Sequence, residues 1–479
     1  MKCLTAIACL LPLVLRAEIP EWSQVSEILA RIAPPKFPAR DFVITSFGAV
    51  ADGKMDSSPA IRQALDACAE AGGGRVVVPA GEFFTGPIHL KSNVDLHLAT
   101  HAVLKFSTNV NAYLPAVFTR FEGTECYNFS PFIYALGQTN IAVTGDGMLD
   151  GQADESNWLA WVRKQTRAER WRNWVLRPVR LEKKHTSARA KLMKLAAGNV
   201  PVERRRFGVG DQLRPDFIEF IRCQNVLIEG VKIRRSPMWE LHPLLCTNVT
   251  VRGVDIVSHG ANNDGCDPES CRDVLIEKCQ FDTGDDCIAI KSGRNNDGRR
   301  VGVPSVNLVI RDCTMRDGHG GVTIGSEISG SCSNVFVENC TMSSTNLNCV
   351  LRLKSNATRG GVLQNIFMRN VTIGQVKDSV LQIDFLYEEG TNGGFKPVAR
   401  NVAMENIRVA KTPRVLNVRG FPGAEISGVR IYNSTFKLLQ KRDGVLMRIY
   451  NWIFKPAQKP DNVIDADVKL LDCQVEPVK

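Results

Sequence analysis

One nine-residue pattern recurs along the chain and limits its possible folds more than any other feature. It runs Asn, apolar, any, apolar, two turn-formers, apolar, any, apolar. It is foreshadowed by NIAVTGDGML at Asn140 and becomes explicit as NVLIEGVKI at Asn225, NVTVRGVDI at Asn248 and DVLIEKCQF at Asp273. NLVIRDCTM at Asn307, NVFVENCTM at Asn334, NIFMRNVTI at Asn365, NVAMENIRV at Asn401 and GVRIYNSTF at Gly428 continue it. From Asn225 the intervals are 23, 25, 34, 27, 31, 36 and 27 residues, the longer ones reading as loop insertions. Each unit is two short strands around a bend, too small to bury its own apolar face. The units must therefore stack, giving an all-β, right-handed parallel β-helix. The leading Asn is expected at a corner in left-handed conformation, with its side chain in a ladder. That geometry accounts for Asn248, Asn339 and Asn370 without invoking the N-x-T glycosylation signals they start.

The rest of the chain fits around this solenoid. An apolar run from Leu4 to Leu15, followed by Arg-Ala-Glu, reads as a secretory signal over residues 1–17, so export to the periplasm or outside is expected. No later run is long enough to span a bilayer. Residues 18–42 form an extension with a short helix from Val25 to Ile32 and a proline-rich link, and residues 43–479 form the β-helical domain. A helix from about Ser58 to Ala71, with Ile61, Leu65 and Cys68 on one side, is expected to cap the solenoid's N-terminal end. His89, His97 and His101 read as packing or surface residues.

Between Gly151 and Phe217 the repeat breaks into a basic, tryptophan-rich insertion. Residues 153–216 hold 16 Lys or Arg against 7 Asp or Glu, most of the chain's +10 net charge. A basic patch first suggests nucleic acid, but export and the carboxylates described below point to an acidic polysaccharide; a solvated helical face is the bland alternative. Trp158, Trp161, Trp171 and Trp174 suggest a helical hairpin packed on the barrel. The sharper alternative is that the insertion walls one end of a groove, with Arg204 to Arg206 meeting a polymer's carboxylates, which favours release of terminal sugars.

Fifteen cysteines become thirteen once Cys3 and Cys9 leave with the signal. Cys279, Cys313 and Cys340 occupy one slot of the repeat and suggest a stacked internal ladder. Cys266 with Cys271 and Cys332 with Cys349 are candidate bridges, and connectivity stays open. No spacing suggests a metal site, and no cofactor is expected.

Chemistry concentrates in residues 262–354. Ser270, Ser292, Ser326 and Ser355 each close a short, partly apolar run. Asp264 and Asp286 fall six residues before their serine, Asp285 and His319 seven, and Arg352 and Lys354 three and one before Ser355. On adjacent rungs equal offsets mean stacking, so these side chains should share one face. Crowded carboxylates cannot all ionise easily, which raises one pKa and supplies a proton donor beside an ionised partner, the pairing glycosidic hydrolysis needs. Arg352 and Lys354 suit a substrate carboxylate, so an acidic sugar is expected. One coil earlier, SPMWELHP brings up Trp239 and His242 as a sugar platform and a hydroxyl partner, with burial in the core as the alternative.

At these residues the sequence resembles glycoside hydrolase family 28, the polygalacturonases. Asn262-Asn263-Asp264, Gly284-Asp285-Asp286, Gly318-His319-Gly320 and Arg352-Leu353-Lys354 look like its four signature motifs in the family's order, with Asn263 replacing the commoner threonine. The resemblance implies a pectin-lyase-like solenoid and cleavage of α-1,4-galacturonosidic bonds in pectic polysaccharide with inversion. It further implies Asp285 as general acid, Asp264 and Asp286 holding and activating water, and His319 keeping Asp285 correctly protonated or oriented. Arg352 and Lys354 would bind the galacturonate carboxylate, with Asn262 in the first motif and Tyr387 as further substrate-binding positions. Exo action is favoured. The competing readings are a rhamnogalacturonan-type hydrolase, a Ca²⁺-dependent β-helical lyase, and a non-catalytic polysaccharide-binding β-helix.

Overall fold

The computed structural model describes residues 20–162, 187–440 and 459–478. The signal segment, Trp171 and Trp174 lie outside them. Parallel strands dominate. Gly74–Val78, Val94–Leu98, Thr139–Gly145, Gln224–Glu229 and Thr247–Arg252 pair rung upon rung, and the series runs on through Glu425–Tyr432 to Val468–Leu471. A second series, from Gly81–Thr85 through Gln280–Thr283 to Gln474–Pro477, joins it in a 24-stranded sheet. A third face comprises a four-stranded part from Ile88–His89 to Leu241–Leu244 and a six-stranded part from Ile288–Ile290 to Asn462–Ile464. Single bridges Leu241↔Cys266 and Cys266↔Ile288 connect the two parts. The chain is therefore a parallel β-helix, filled by residues such as Val249, Val274, Leu308, Val335 and Ile366.

The repeat's leading residues take the expected corner: Asn225, Asn248, Asp273, Asn307, Asn334, Asn365 and Asn401 all have φ between 55 and 63°. Their side chains form the ladder, each Nδ2 donating to the preceding Oδ1, as in Asn334→Asn307 at 3.0 Å and Asn365→Asn334 at 3.0 Å. A shorter parallel ladder links Asn406, Asn370 and Asn339. Cys279, Cys313 and Cys340 stack inside as expected, all buried. Every cysteine among the described residues is a free thiol, so the Cys266–Cys271 and Cys332–Cys349 bridges are corrected: these side chains are apolar filling.

The helix Ser58–Glu70 buries Ile61, Leu65 and Cys68 against the first rungs. The extension's helix, Gln24–Arg31, does something the sequence reading did not anticipate. Trp22, Val25, Ile28 and Ile32 cover an apolar stripe on the outside of the coil, Leu275, Val309, Phe336, Phe367 and Ala403. No helix among the described residues is long and apolar enough to cross a membrane.

Candidate active site

The third face carries the site because its side chains alternate between core and outside. Leu351 and Leu353 point inward, so Arg352 and Lys354 point out. Backbone bonds set the stacking of the acidic rungs: Asp285 N donates to Asn263 O at 3.1 Å, Gly265 N to Asp286 O at 3.0 Å, and His319 N to Asp285 O at 2.8 Å. Asp264 thus lies level with Asp286, and Asp285 with His319, as the serine offsets require. Glycine is needed where coils touch: a Cβ on Gly284 would lie 2.3 Å from Gly260 O. Asn263, the unusual motif residue, braces this turn. Its Nδ2 donates to Ser236 O at 3.1 Å and Met238 O at 2.9 Å, and its Oδ1 accepts from Ser258 Oγ at 2.9 Å.

One oxygen from each of Asp264, Asp285 and Asp286 lies within 4.8 Å of the others. Lys354 Nζ is 2.8 Å from Asp286 Oδ2, and Arg352 Nη1 is 3.5 Å from Oδ1. Burial would raise the Asp286 carboxyl, but Lys354 and Arg352 outweigh it and hold it down at about 2. Asp264 is 4% exposed; burial among Asp267, Asp285 and Asp286 pushes it well up, with Lys291 opposing. Asp285, with a quarter of its side chain exposed, accepts from His319 Nδ1 at 2.9 Å. That bond raises the His319 pKa. A carboxylate held ionised, Asp286, therefore sits beside one whose surroundings favour its neutral form, Asp264, with Asp285 within reach of both, an arrangement suited to general acid–base hydrolysis.

The remaining site candidates fall as follows. Asn262 borders the cleft and accepts from Arg214 Nη2 at 2.8 Å. The Tyr387 ring lies 5.4 Å from Lys354 Nζ and 5.9 Å from Arg352 Cζ. Trp239 lines the cleft floor, its ring 4.4 Å from Lys291 Nζ. His242 is corrected: it is fully buried, held by Asp216 at 2.7 Å and Glu269 at 3.0 Å, and has no path to a sugar hydroxyl. Arg205 is likewise buried, on Asp297, and does not face a polymer.

Several cleft residues escaped the sequence reading. Lys291 precedes Ser292 by one, as Lys354 precedes Ser355, so the offset that found one lysine would have found the other. Glu122, Arg189, Arg294, Glu327 and Glu388 border the same cleft, of about 100 Å³, and carry no sequence signal.

The hairpin Val117–Phe121/Thr124–Asn128 packs on the rung of Glu219 and on the coil of Asp264 and Glu269, and its turn reaches the coil of Asp285 and Asp286, where Arg294 N donates to Gly123 O at 2.9 Å. Arg120 N and Nη1 donate to Glu219 at 3.1 Å and Glu269 at 2.9 Å, and Tyr134 Oη donates to Phe118 O at 2.7 Å. The hairpin turn meets the insertion where Glu122 accepts from Arg189 Nε at 2.7 Å. The other side of the aspartates carries the Arg352–Gln382–Asn417–Asn462 column.

Among the described residues, three groups of ligand-type side chains lie close enough to consider for a metal: the three aspartates, His259 with Asp282 and Asp317, and Asp216 with Glu219 and His242. Protein donors already engage them. Lys354 holds Asp286, Ser344 Oγ and Asn346 Nδ2 hold Asp317 at 2.8 and 3.0 Å, and His242 bridges its own buried acids. The donor set suits ion pairs within the protein better than a resident cation.

A parallel β-helix with an acid–base carboxylate cluster on one outer face, beside an Arg–Lys pair, defines a polysaccharide-cleaving glycoside hydrolase. The sequence pattern of glycosyl hydrolases family 28 matches residues 204–433. A hyperthermoactive exopolygalacturonase from Thermotoga maritima is 38% identical, with a TM-score of 0.83 over 95% of this chain and 96% of that one. A probable polygalacturonase of Vitis vinifera is 27% identical over 83% of this chain and 74% of its own length. An exo-poly-alpha-D-galacturonosidase of Dickeya chrysanthemi is 27% identical over 72% of this chain and 57% of its own. The chain belongs to glycosyl hydrolases family 28. Hydrolysis thereby prevails over the lyase and binding-protein alternatives.

Proposed function

We propose that this hydrolase removes terminal galacturonate residues from polygalacturonate. The observation that carries the reading is the hairpin, which packs on the rungs up to and including those of the aspartates while the Arg352–Gln382–Asn417 column continues beyond them, so one sugar enters and the chain trails away. Arg352 and Lys354 supply the positive charge a uronate needs. The names of the similar exo-acting enzymes support the same substrate.

In this reading Asp285 donates the proton to the leaving oxygen, since it is the most exposed of the three and His319 orients it. Asp264 and Asp286 hold the attacking water. The close carboxylate oxygens, all within 4.8 Å, do not leave the roughly 6.5–9.5 Å gap common in inverting enzymes. The stereochemistry is read directly from the anomeric proton of the first product. We further infer a right-handed coil, capped by the helix Ser58–Glu70, walled at the cleft by the insertion through Arg189, and acting outside the cytoplasm.

The test incubates oligogalacturonides with wild type and Asp285→Asn, with EDTA present. Saturated galacturonate and the oligomer one unit shorter as the early products, and a loss of about 10²–10⁴-fold in the variant, are expected. Oligomers of several intermediate lengths from the start would sink exo action; cleavage of rhamnogalacturonan alone would move the substrate.

A further inference from the structure

Asp264 poses a problem within the mechanism just proposed. It is asked to act as a base, yet burial and the neighbouring Asp267, Asp285 and Asp286 all favour its neutral form. A carboxyl in such surroundings works as a base only if a cation opposes them.

We propose that Lys291 is that cation: a positioning residue that draws the buried Asp264 towards its ionised form and aims it at the water, as Lys354 does for Asp286. Lys291 Nζ lies 3.5 Å from Asp264 Oδ2, 3.3 Å from Asp267 Oδ1 and 3.4 Å from Glu327 Oε2. It is 3% exposed, and the Trp239 ring supports it from below at 4.4 Å. Strand register explains the division of labour. Ile290 pairs with Ile324, and Ile324 with Leu353, so Lys291, Gly325 and Lys354 form one column. Gly325 between them has no side chain, and a Cβ there would lie 2.2 Å from Lys354 O. The two ammonium groups therefore diverge along the cleft, Lys354 to Asp286 and Lys291 to Asp264. Burial would discharge Lys291, but Glu327, Asp264 and Asp267 outweigh it and keep it charged.

The other charged groups around this centre do not substitute for it. Glu240, buried one coil below, adds acid. Arg294 and Arg359 are spent on Glu327 and Glu388, at 3.0 and 3.1 Å. Arg352 faces Asp286, and His319 faces Asp285. Tyr387 and Glu122 border the cleft without supplying positive charge.

This inference rests on the proposed hydrolysis, and the experiment separates the two. The pH dependence of kcat/KM on trigalacturonate is measured for wild type, Lys291→Met, Lys291→Arg and Asp267→Asn. Removing the charge raises the Asp264 pKa, so the acid limb of the Met variant moves up by at least about one pH unit. The Arg variant returns the limb towards wild type even where kcat stays low. Asp267→Asn frees Lys291 from a competitor and moves the limb down, which keeps the test alive if the Met variant fails to fold. An acid limb unmoved in both Met and Asn variants overturns the proposal. So does an upward shift of the alkaline limb instead, because Asp264 would then be the proton donor. A wild type inactive on every galacturonate oligomer sinks the underlying substrate reading.

Discussion

His242 shows how a polar side chain reads differently in a sequence and in a fold. Burial would depress its pKa, but the hydrogen bonds it donates to Asp216 and Glu269 outweigh that and push it up to about 10. Its folded value exceeds the ordinary 6.5, so this stabilisation is complete below about pH 6.5 and is lost as pH climbs towards 10. His242→Leu leaves two buried carboxylates without their cation and should cost about 3–5 kcal/mol, read by denaturant unfolding at pH 6. Activity at 25 °C should fall far less than stability; a raised KM with unchanged unfolding would instead restore His242 to the substrate site. The sequence placed Asp264, Asp285, Asp286, His319, Arg352 and Lys354 because parallel in-register stacking turns equal offsets into neighbours. The same arithmetic could not distinguish His242, under a hairpin, from Arg352, in the cleft, since both point outward. Glu122 and Arg189 were illegible for a related reason: they meet across 67 positions through a turn and an insertion that follow no period.

Among the elements, the asparagine ladder was legible and its interruption was not. Asp273 occupies an Asn position but has no amide to donate, so Asn248 Oδ1 is left without its ladder donor. The N-terminal extension fills the gap: Ala33 N donates to Asn248 Oδ1 at 3.0 Å, and Arg31 Nη2 donates to Asp273 Oδ1 at 3.0 Å. The extension's docking point is thus written into one residue of the repeat, although nothing in its own composition announces it. Asp273→Asn should complete the ladder, compete with Ala33 for Asn248, and remove Arg31's charged partner. Surface ion pairs of this kind contribute about 0–1 kcal/mol, so the melting temperature should barely move. Amide hydrogen exchange in residues 24–33 should nevertheless quicken several-fold; unchanged exchange there would show that the apolar stripe under Trp22 and Ile28 does the docking alone.

At the scale of the whole molecule, the solenoid presents one long face and uses it unequally. On one side of the aspartates, the hairpin locks over Glu219 and Glu269 through Arg120. On the other, Arg352, Gln382, Asn417 and Asn462 continue the same column, one per rung, with Asn417 buried between Asp378 and Asn462. Rungs lie about 4.8 Å apart, so this track is about 14 Å long, room for roughly three sugars beyond the cleavage point. A polymer bound this way gains from each added sugar until the track is filled, and then gains nothing. A hydrogen bond to a charged group contributes about 1.5–3 kcal/mol, so each early addition should raise kcat/KM about tenfold or more. Measured on oligogalacturonides of increasing length, kcat/KM should climb steeply to about the tetramer and then level off, with the early products always galacturonate and the substrate shortened by one unit. A rate that climbs well past that length, with products of mixed size, would mean that substrate also binds on the hairpin side and that the covered rungs do not end the groove.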